Sequence, residues 1–407
     1  ISACLVGSEM CIRDRYISQF NKFLNIIRNK IPNVPNLRFR NFNNTWIKKS
    51  FLDLVKVKAR IGWQGLRQEE FMSEGDYYLI TGTDFKNNKI DFKTCKYISK
   101  ERYDQDVNIQ IKNNDILITK DGSIGKVAIV ENIDKPATLN AGVYVVRLSS
   151  NEIRLKYLFH YLKAPFLLDF ADKSSTGGTI KHLNQNVLGE FKIPFSSFHE
   201  QNKIAIFLDL IDERISTQSK IISAIESQIF SINHLMISKN TETIKLGELC
   251  KFEPKTNRKS GDGLESGKYP FFTNEENQTQ YLDTYDFDGE YIIANTGGKA
   301  NFKYYKGKFA AMSDCLILKI NSTDLTTFYS NVLRGKQAYI NHVGFEGSGL
   351  KHLNKDWLLN MQVPTYNKSI RKYLLAIEML KEKLQKEKDI LSLYKKQKAY
   401  LLQNMFI

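Results

Sequence analysis

Cysteine and proline are scarce in this chain of 407 residues, five and eight respectively, and their placement excludes more than their number. Cys4, Cys11, Cys95, Cys250 and Cys315 never form a Cys-x-x-Cys pair. Their odd count and scatter argue against zinc and against a disulfide framework, and fit a reducing cytoplasm. No two prolines are adjacent, and none precedes an aspartate. The first absence removes the Asn/Asp-Pro-Pro-aromatic box expected of an adenine methylase, and the second the Pro-Asp start expected of a magnesium-dependent nuclease. The six histidines do not cluster, and no His-Glu-x-x-His occurs. Gly261 to Tyr269 has the wrong glycine spacing for a phosphate-binding loop and puts Tyr269 after Lys268, where Ser or Thr is required. No run of 18 apolar residues could span a bilayer. These absences argue against an enzyme acting alone and against a membrane protein.

What the chain does have is positive charge and helical periodicity. Lys and Arg number 59 against 44 Asp and Glu, a net charge of +15, which predisposes a protein to bind a polyanion. Apolar residues fall at Ile204, Leu208, Ile211, Ile215, Ile222, Ile225, Ile229, Ile232 and Met236, in steps of three and four broken only by Gln218. A 3.5-residue repeat sustained this long predicts a helix of roughly 50 Å buried along one stripe against a second helix. Ile370, Tyr373, Ile377, Leu380, Leu384, Leu391, Tyr394, Leu401 and Met405 supply that partner, with Glu387 and Lys398 as breaks. The Lys-rich tail from Lys381 to Lys398 reads as the solvated face of this second helix.

Residues 1–31 are set aside as a foreign or disordered N-terminal extension, since position 1 is not Met and Arg13-Asp14-Arg15 fits no signal peptide. A short helix is expected near Tyr16 to Arg28, and Pro32 and Pro35 make the following segment extended. Short apolar runs at Tyr77–Ile80, Asp115–Thr119, Val127–Val130 and Val143–Arg147, bounded by Asn, Asp and Gly, predict strands. Helical patterns follow at Ile153–Leu162 and Phe166–Ala171. From Thr243 the order repeats: Tyr291–Ala294 answers Ile116–Thr119, and Cys315–Lys319 answers Gly142–Val146. Lys181-His-Leu-Asn184 before Pro194 recurs as Lys351-His-Leu-Asn354 before Pro364, a shift of 170. A tandem duplication is therefore visible within one chain. The expected fold is α+β, two mixed α/β domains at 32–197 and 241–367. Each is followed by a long helix, at 198–240 and 368–407, the two pairing as an antiparallel coiled coil with pseudo-two-fold symmetry.

The candidate binding residues lie in turns that recur in both copies. Lys120, Ser123 and Lys126 surround two glycines that let backbone amides approach a phosphate. Asn295, Thr296, Lys299 and Asn301 form the matching turn, and Asn and Lys can also meet base edges. Thr176, Thr179 and Lys181 belong to one further loop of similar make-up, Ser348 and Lys351 to its counterpart. Lys58, Arg60 and Arg67 flank Trp63 in a basic stretch matched loosely by Arg258 and Lys259. His182 and His352 read as residues orienting their loops.

This order resembles the specificity subunit of type I restriction-modification systems. The residues that carry it are Pro35-Asn-Leu-Arg-Phe39, Trp46, the Gly122-Ser-Ile-Gly125 turn, and Thr176-Gly-Gly-Thr-Ile-Lys-His-Leu-Asn184. Glu200-Gln-Asn-Lys-Ile-Ala-Ile-Phe-Leu-Asp209 then opens the long helix. The second copy departs in Thr243-Ile-Lys-Leu and Ser369-Ile-Arg-Lys. The resemblance implies two target-recognition domains, each reading half of a bipartite double-stranded DNA site. It implies two modification subunits and restriction subunits as partners, with S-adenosylmethionine, ATP and magnesium on those partners and no cofactor on this chain. The readings from other classes are a non-catalytic nucleic-acid-binding protein and a coiled-coil scaffold.

Overall fold

The computed structural model describes residues 26–28, 34–62, 65–174, 183–238, 242–275, 278–349 and 351–407. They fall into two compact units, Ile1–Ser216 with Ser392–Ile407, and Thr217–Leu391.

In the first unit the chain runs through β1 (Ile26–Arg28), β2 (Leu37–Phe39), β3 (Ile47–Ser50), α1 (Phe51–Leu54), β4 (Val55–Lys58), β5 (Tyr77–Ile80), β6 (Phe85–Lys86), β7 (Lys89–Ile90) and β8 (Lys96–Ile98). It continues with α2 (Lys100–Asp104), β9 (Ile116–Thr119), β10 (Val127–Ile129), β11 (Ala137–Leu139), β12 (Val143–Leu148), α3 (Leu155–Lys163), α4 (Pro165–Ser174) and β13 (Lys192–Phe195), then enters α5 (Phe198–Ser238). Six strands bond in the order β4-β12-β9-β10-β7-β6, and β11-β5-β8 form a second sheet. Val55 and Val57 are buried while Lys56 and Lys58 are exposed, the period of two expected of an edge strand with one dry face. The unbroken Ile116-Leu-Ile and Val127-Ala-Ile runs are buried on both faces. The helix expected near Tyr16 to Arg28 is not what the described part forms, because Ile26–Arg28 pairs antiparallel with Leu37–Phe39. The β-branched Ile26-Ile27 pair favours extended backbone, and residues 16–25 lie outside the described ones.

Packing in this unit centres on α3. Tyr157, Leu158 and Leu162 are buried, the Tyr157 hydroxyl donates to the Pro194 carbonyl at 2.6 Å, and its ring meets Phe406 edge-on at 5.4 Å. The same core holds Ile204, Leu208 and Ile211 of one seam with Leu401 and Met405 of the other. Charge pins the lead-in to the first turn of α5. Arg38 Nε donates to Glu200 Oε1 at 2.7 Å, Arg38 Nη2 to Glu200 Oε2 at 2.8 Å and to the Asn44 carbonyl at 2.6 Å.

In the second unit α5 leads to β14 (Thr243–Lys245), β15 (Lys251–Phe252), β16 (Tyr269–Phe272), β17 (Gln280–Leu282), β18 (Phe287–Asn295), β19 (Phe302–Ala311) and β20 (Cys315–Lys319). Next come α6 (Thr323–Gly335), α7 (Gln337–Val343), β21 (Phe345–Glu346), β22 (His352–Leu353), α8 (Lys355–Asn360), β23 (Gln362–Pro364) and α9 (Arg371–Asn404). Its sheet order, β15-β20-β18-β19-β16-β17, begins as β4-β12-β9-β10 does. Strand β14 pairs with β23 as β3 pairs with β13. The copies differ most in the central hairpin, where β18 and β19 have nine and ten residues against four and three in β9 and β10. Gly289 and Gly307 face each other there at φ of 146° and 127°, a backbone that residues with a Cβ rarely adopt.

The long helices have 41 and 34 residues, about 60 and 50 Å. In each unit the order of their contacts is antiparallel. The first has Ile204 to Ile211 against Leu401 to Met405, and the second has Gln218 against Glu387 and Met236 in one cluster with Ile370, Leu374 and Ile377. All three faults in the seams find polar partners. Gln218 Nε2 donates to the Glu387 carbonyl at 3.1 Å and to its carboxylate, while Lys398 binds Asp212, which Lys163 also reaches at 2.6 Å. Paired polar groups in an apolar seam specify register. The reading of Lys381 to Lys398 as a solvated face fails only at its two ends, where the Lys398 side chain is 15% exposed and Lys381 is half-buried; Lys383, Lys386, Lys388, Lys395 and Lys396 are exposed.

Candidate nucleic-acid interface

In the first unit the turn between β9 and β10 is built by Thr119. Its hydroxyl donates to the Ser123 carbonyl and accepts from the Lys126 amide at 3.0 Å. Gly122 and Gly125 take φ of 69° and 76°, and a Cβ on Gly125 would come within 2.4 Å of the Leu168 side chain. The turn is therefore restricted to glycine for conformation and for space. Lys120 is not free: it pairs with Asp121 at 2.8 Å and lies over the Tyr144 ring at 5.9 Å. Burial, with Asp121 nearby, raises the Tyr144 hydroxyl to about 12. It stays a donor to the Leu183 carbonyl at 2.9 Å. Ser123 and Lys126 are exposed.

In the second unit the turn between β18 and β19 is ordered from inside by Asn295. This side chain is 5% exposed and donates to the carbonyls of Gly297, at 3.0 Å, and Lys299. Thr296 donates its hydroxyl to the Asp314 carbonyl at 2.7 Å, and Asn301 reaches the Glu275 carbonyl at 3.4 Å. Lys299, Ser348 and Lys351 are exposed.

The two units draw the same segments together. Leu183 N donates to the Lys120 carbonyl at 3.0 Å, and Leu353 N to the Thr296 carbonyl at 2.8 Å. Each turn is thus tied to the chain just after the Lys-His of the repeated Lys-His-Leu-Asn. On its other side, Lys120 N meets the Gly142 carbonyl at 2.9 Å and Thr296 N the Asp314 carbonyl at 3.1 Å, the connections into β12 and β20. The basic segments are held beside them: Arg60 Nε donates to the carbonyl of Leu139 at the end of β11 at 2.8 Å, and Ser313 N, in the connection into β20, to the Arg258 carbonyl at 2.9 Å.

Several expected contacts are thereby engaged within the fold. Arg60 is 3% exposed and its guanidinium also reaches Thr138. Burial lowers its pKa, and the side chain holds the end of β11 instead of meeting solvent. Arg258 is held by Asp286 at 2.7 Å and by Thr284 at 3.0 Å. Lys58, Arg67 and Lys259 are exposed, as is His352 on β22. Thr176, Thr179, Lys181, His182 and Trp63 lie outside the described residues. Tyr144 and Asp121, which hold Lys120, were missed as site residues, although Asp121 adjoins that lysine in sequence.

Among the described residues no cluster of His, Cys, Asp and Glu could hold a metal ion, and Cys95, Cys250 and Cys315 are buried and free. Among them no helix is long and apolar enough to cross a membrane.

Two copies of one sheet-and-turn module, each bearing exposed lysine on a glycine turn, with two long helices that pair, define a duplicated two-domain protein. The sequence profile of the type I restriction modification DNA specificity domain matches residues 43–227 and 238–391, and the chain belongs to that family. A Mycoplasma genitalium protein named as a type I specificity subunit is 25% identical over 295 residues, 67% of this chain and 70% of the relative. The MjaIX type I restriction enzyme specificity subunit of Methanocaldococcus jannaschii is 31% identical over 145 residues, 34% of this chain and 33% of its own. The crystal structure of a type I restriction-modification S subunit from M. genitalium has the same fold, with a TM-score of 0.62 at 21% identity. That match covers 92% of this chain and 99% of the other.

Proposed function

We propose that this chain is the non-catalytic specificity subunit of a type I restriction-modification complex. Each unit reads one half of a bipartite duplex site, and the chain directs partner subunits that carry methylation, translocation and cleavage. The observation that carries the reading is the duplicated gathering of a glycine turn, a basic segment and the chain at Leu183 and at Leu353 of the repeated Lys-His-Leu-Asn, with Lys126 and Lys299 exposed on equivalent turns. Phosphate contacts from such lysines position a protein, and neighbouring Asn, Ser and Thr groups reach base edges. The chain itself holds no cofactor on this reading; S-adenosylmethionine, ATP and magnesium belong to the partners.

Two modification subunits are supported by a repeated apolar face. Ile206 and Leu210 on α5 are 61% and 46% exposed, and Leu375 and Met379, at the equivalent positions of α9, are 54% and 72% exposed. Each pair is four residues apart and so shares a helix face, giving one equivalent docking patch per unit. Co-expression with a cognate modification subunit, followed by single-molecule sequencing of the host genome, is expected to show one new bipartite methylated motif. Absence of any new motif from an assembled complex overturns the proposal.

Lys126→Ala and Lys299→Ala are each expected to weaken duplex binding across all sequences and to lower the salt slope by about one. Lys120→Ala has a smaller effect, since Asp121 already offsets that charge. Fluorescence anisotropy over a salt series measures both quantities.

A further inference from the structure

Because the chain is a duplication, a charged group in one unit has a counterpart position in the other, and one set does not match. Between α3 and α6 a shift of 171 places Tyr157, Leu158, His160 and Leu162 on Phe328, Tyr329, Asn331 and Leu333, all buried. Lys163 then falls on Arg334. Between α5 and α9 a shift of 169 places Ala205 and Leu208 on Leu374 and Ile377, again all buried. Asp209 then falls on Glu378, and Asp212 on Lys381.

In the first unit the partners at this place are carboxylates: Asp212 answers both Lys163 and Lys398, and Asp209 meets the His160 imidazole, whose protonation burial disfavours. His160 Nε2 lies 2.9 Å from Asp209, and Lys163 lies 2.6 Å from Asp212. In the second unit Asp212's position is an ammonium. Lys381 Nζ donates at 2.9 Å to Asn331 Oδ1, a neutral amide, with Arg334 beside it. Among the described residues no carboxylate lies within ion-pair distance of Lys381 or Arg334. Burial and Arg334 push Lys381 down to about 8, and Glu378 one turn away opposes them only in part. A half-buried ammonium that lacks a counter-ion is costly unless one is supplied.

The surroundings suit a supplied anion. Lys381 and Arg334 line a cleft of about 670 Å³ together with Lys336, Lys388 and His234. Among the described residues its one carboxylate, Glu226, is taken by Lys388 at 2.9 Å. Phe230, on the same lining, is 68% exposed and offers an aromatic face. Asn233 Oδ1 is buried there without a hydrogen-bond partner. The volume is far larger than one phosphate group needs.

We propose that this cleft binds a nucleotide-sized phosphate ester. Its phosphate group sits against Lys381 and Arg334 and supplies the negative charge that Asp212 supplies in the first unit. The base lies on Phe230, and an exocyclic amine donates to Asn233 Oδ1. Neither the family nor the proposed function assigns such a site to this chain.

The test uses the full chain, with adenosine 5′-monophosphate and inorganic phosphate as probes, read by isothermal titration and thermal unfolding. The nucleotide is expected to bind about tenfold more tightly than phosphate and to raise the unfolding midpoint. Lys381→Asp copies the first unit's residue. It is expected to raise the midpoint without ligand, by pairing with Arg334, and to weaken nucleotide binding by at least about tenfold. Lys381→Met should lose binding to a similar degree, which separates loss of the cation from any misfolding of the Asp variant. Equal affinity for nucleotide and phosphate overturns the nucleotide assignment. No saturable binding of either probe, or variants that bind like the parent, overturns the site.

Discussion

Replacing Arg38 by Met is expected to destabilise the first unit by about 3–5 kcal/mol, the range for removing one partner of a buried ion pair. Arg38 is 5% exposed and Glu200 fully buried, and the two are joined by a bidentate pair. Met fills most of the arginine stem's volume but leaves the Glu200 carboxylate without its cation and the Asn44 carbonyl without its donor. A second substitution, Glu200→Leu, removes the stranded charge, so the double variant should recover much of the loss. Because the chain has two units, a single unfolding midpoint would mix them. Hydrogen exchange of the first turns of α5, compared with that of α6, separates the unit that loses protection from the one that keeps it. A single variant that unfolds like the parent would mean that the pair is not needed to hold the lead-in.

The parts of this fold that could be read from sequence are those set by local periodicity. The apolar runs within Asp115–Thr119 and Val127–Val130 form β9 and β10, and the heptad residues from Ile204 to Met236, broken only at Gln218, lie in α5, so strand and helix there follow from spacing alone. Lys56 and Lys58 were read only as part of a basic stretch, whereas they alternate with Val55 and Val57 in β4. The duplication was legible because Lys-His-Leu-Asn and a later proline survive in both copies. Facing partners were not, since a period fixes which side of a helix is buried but not which residue stands opposite. Gln218, Glu387 and Lys398 therefore looked like faults, and only the antiparallel register brings Gln218 to Glu387 and Lys398 to Asp212. Lys381 and Lys398 were read with the solvated face, although each lies four residues beyond a seam residue, Ile377 and Tyr394. Among the site residues, Arg60 and Arg258 are both arginines of basic stretches. Both are drawn into the fold by contacts 79 and 28 residues away, with Leu139 and Asp286. No local pattern encodes such distances.

Matched insertions of four residues in both long helices are expected to change the spacing of the methylated motif while leaving its two halves intact. One insertion falls between Ser223 and Gln228 of α5 and the other beside Leu384 of α9, a level marked by the ion pair of Glu226 with Lys388. Inserting in both helices keeps Gln218 against Glu387 on one side and Met236 with Ile377 on the other. Inserting in one alone would slide the seams by half a heptad. Four residues add about 6 Å of helix and about 40° of rotation. At about 3.4 Å and roughly 34° per base pair of duplex, the rise corresponds to nearly two base pairs and the rotation to about one. The unread gap should therefore grow by one or two base pairs. Rise and rotation change in the same sense, so four residues strain the complex less than seven would. Seven residues add about 10 Å with almost no net rotation, whereas three base pairs turn the duplex by roughly 100°. The methylated motif of the four-residue variant, mapped beside the parent's, decides the matter. An active variant with an unchanged gap would show that the helices do not set the spacing, whereas altered half-sites would show that base reading is not confined to the two sheet-bearing units.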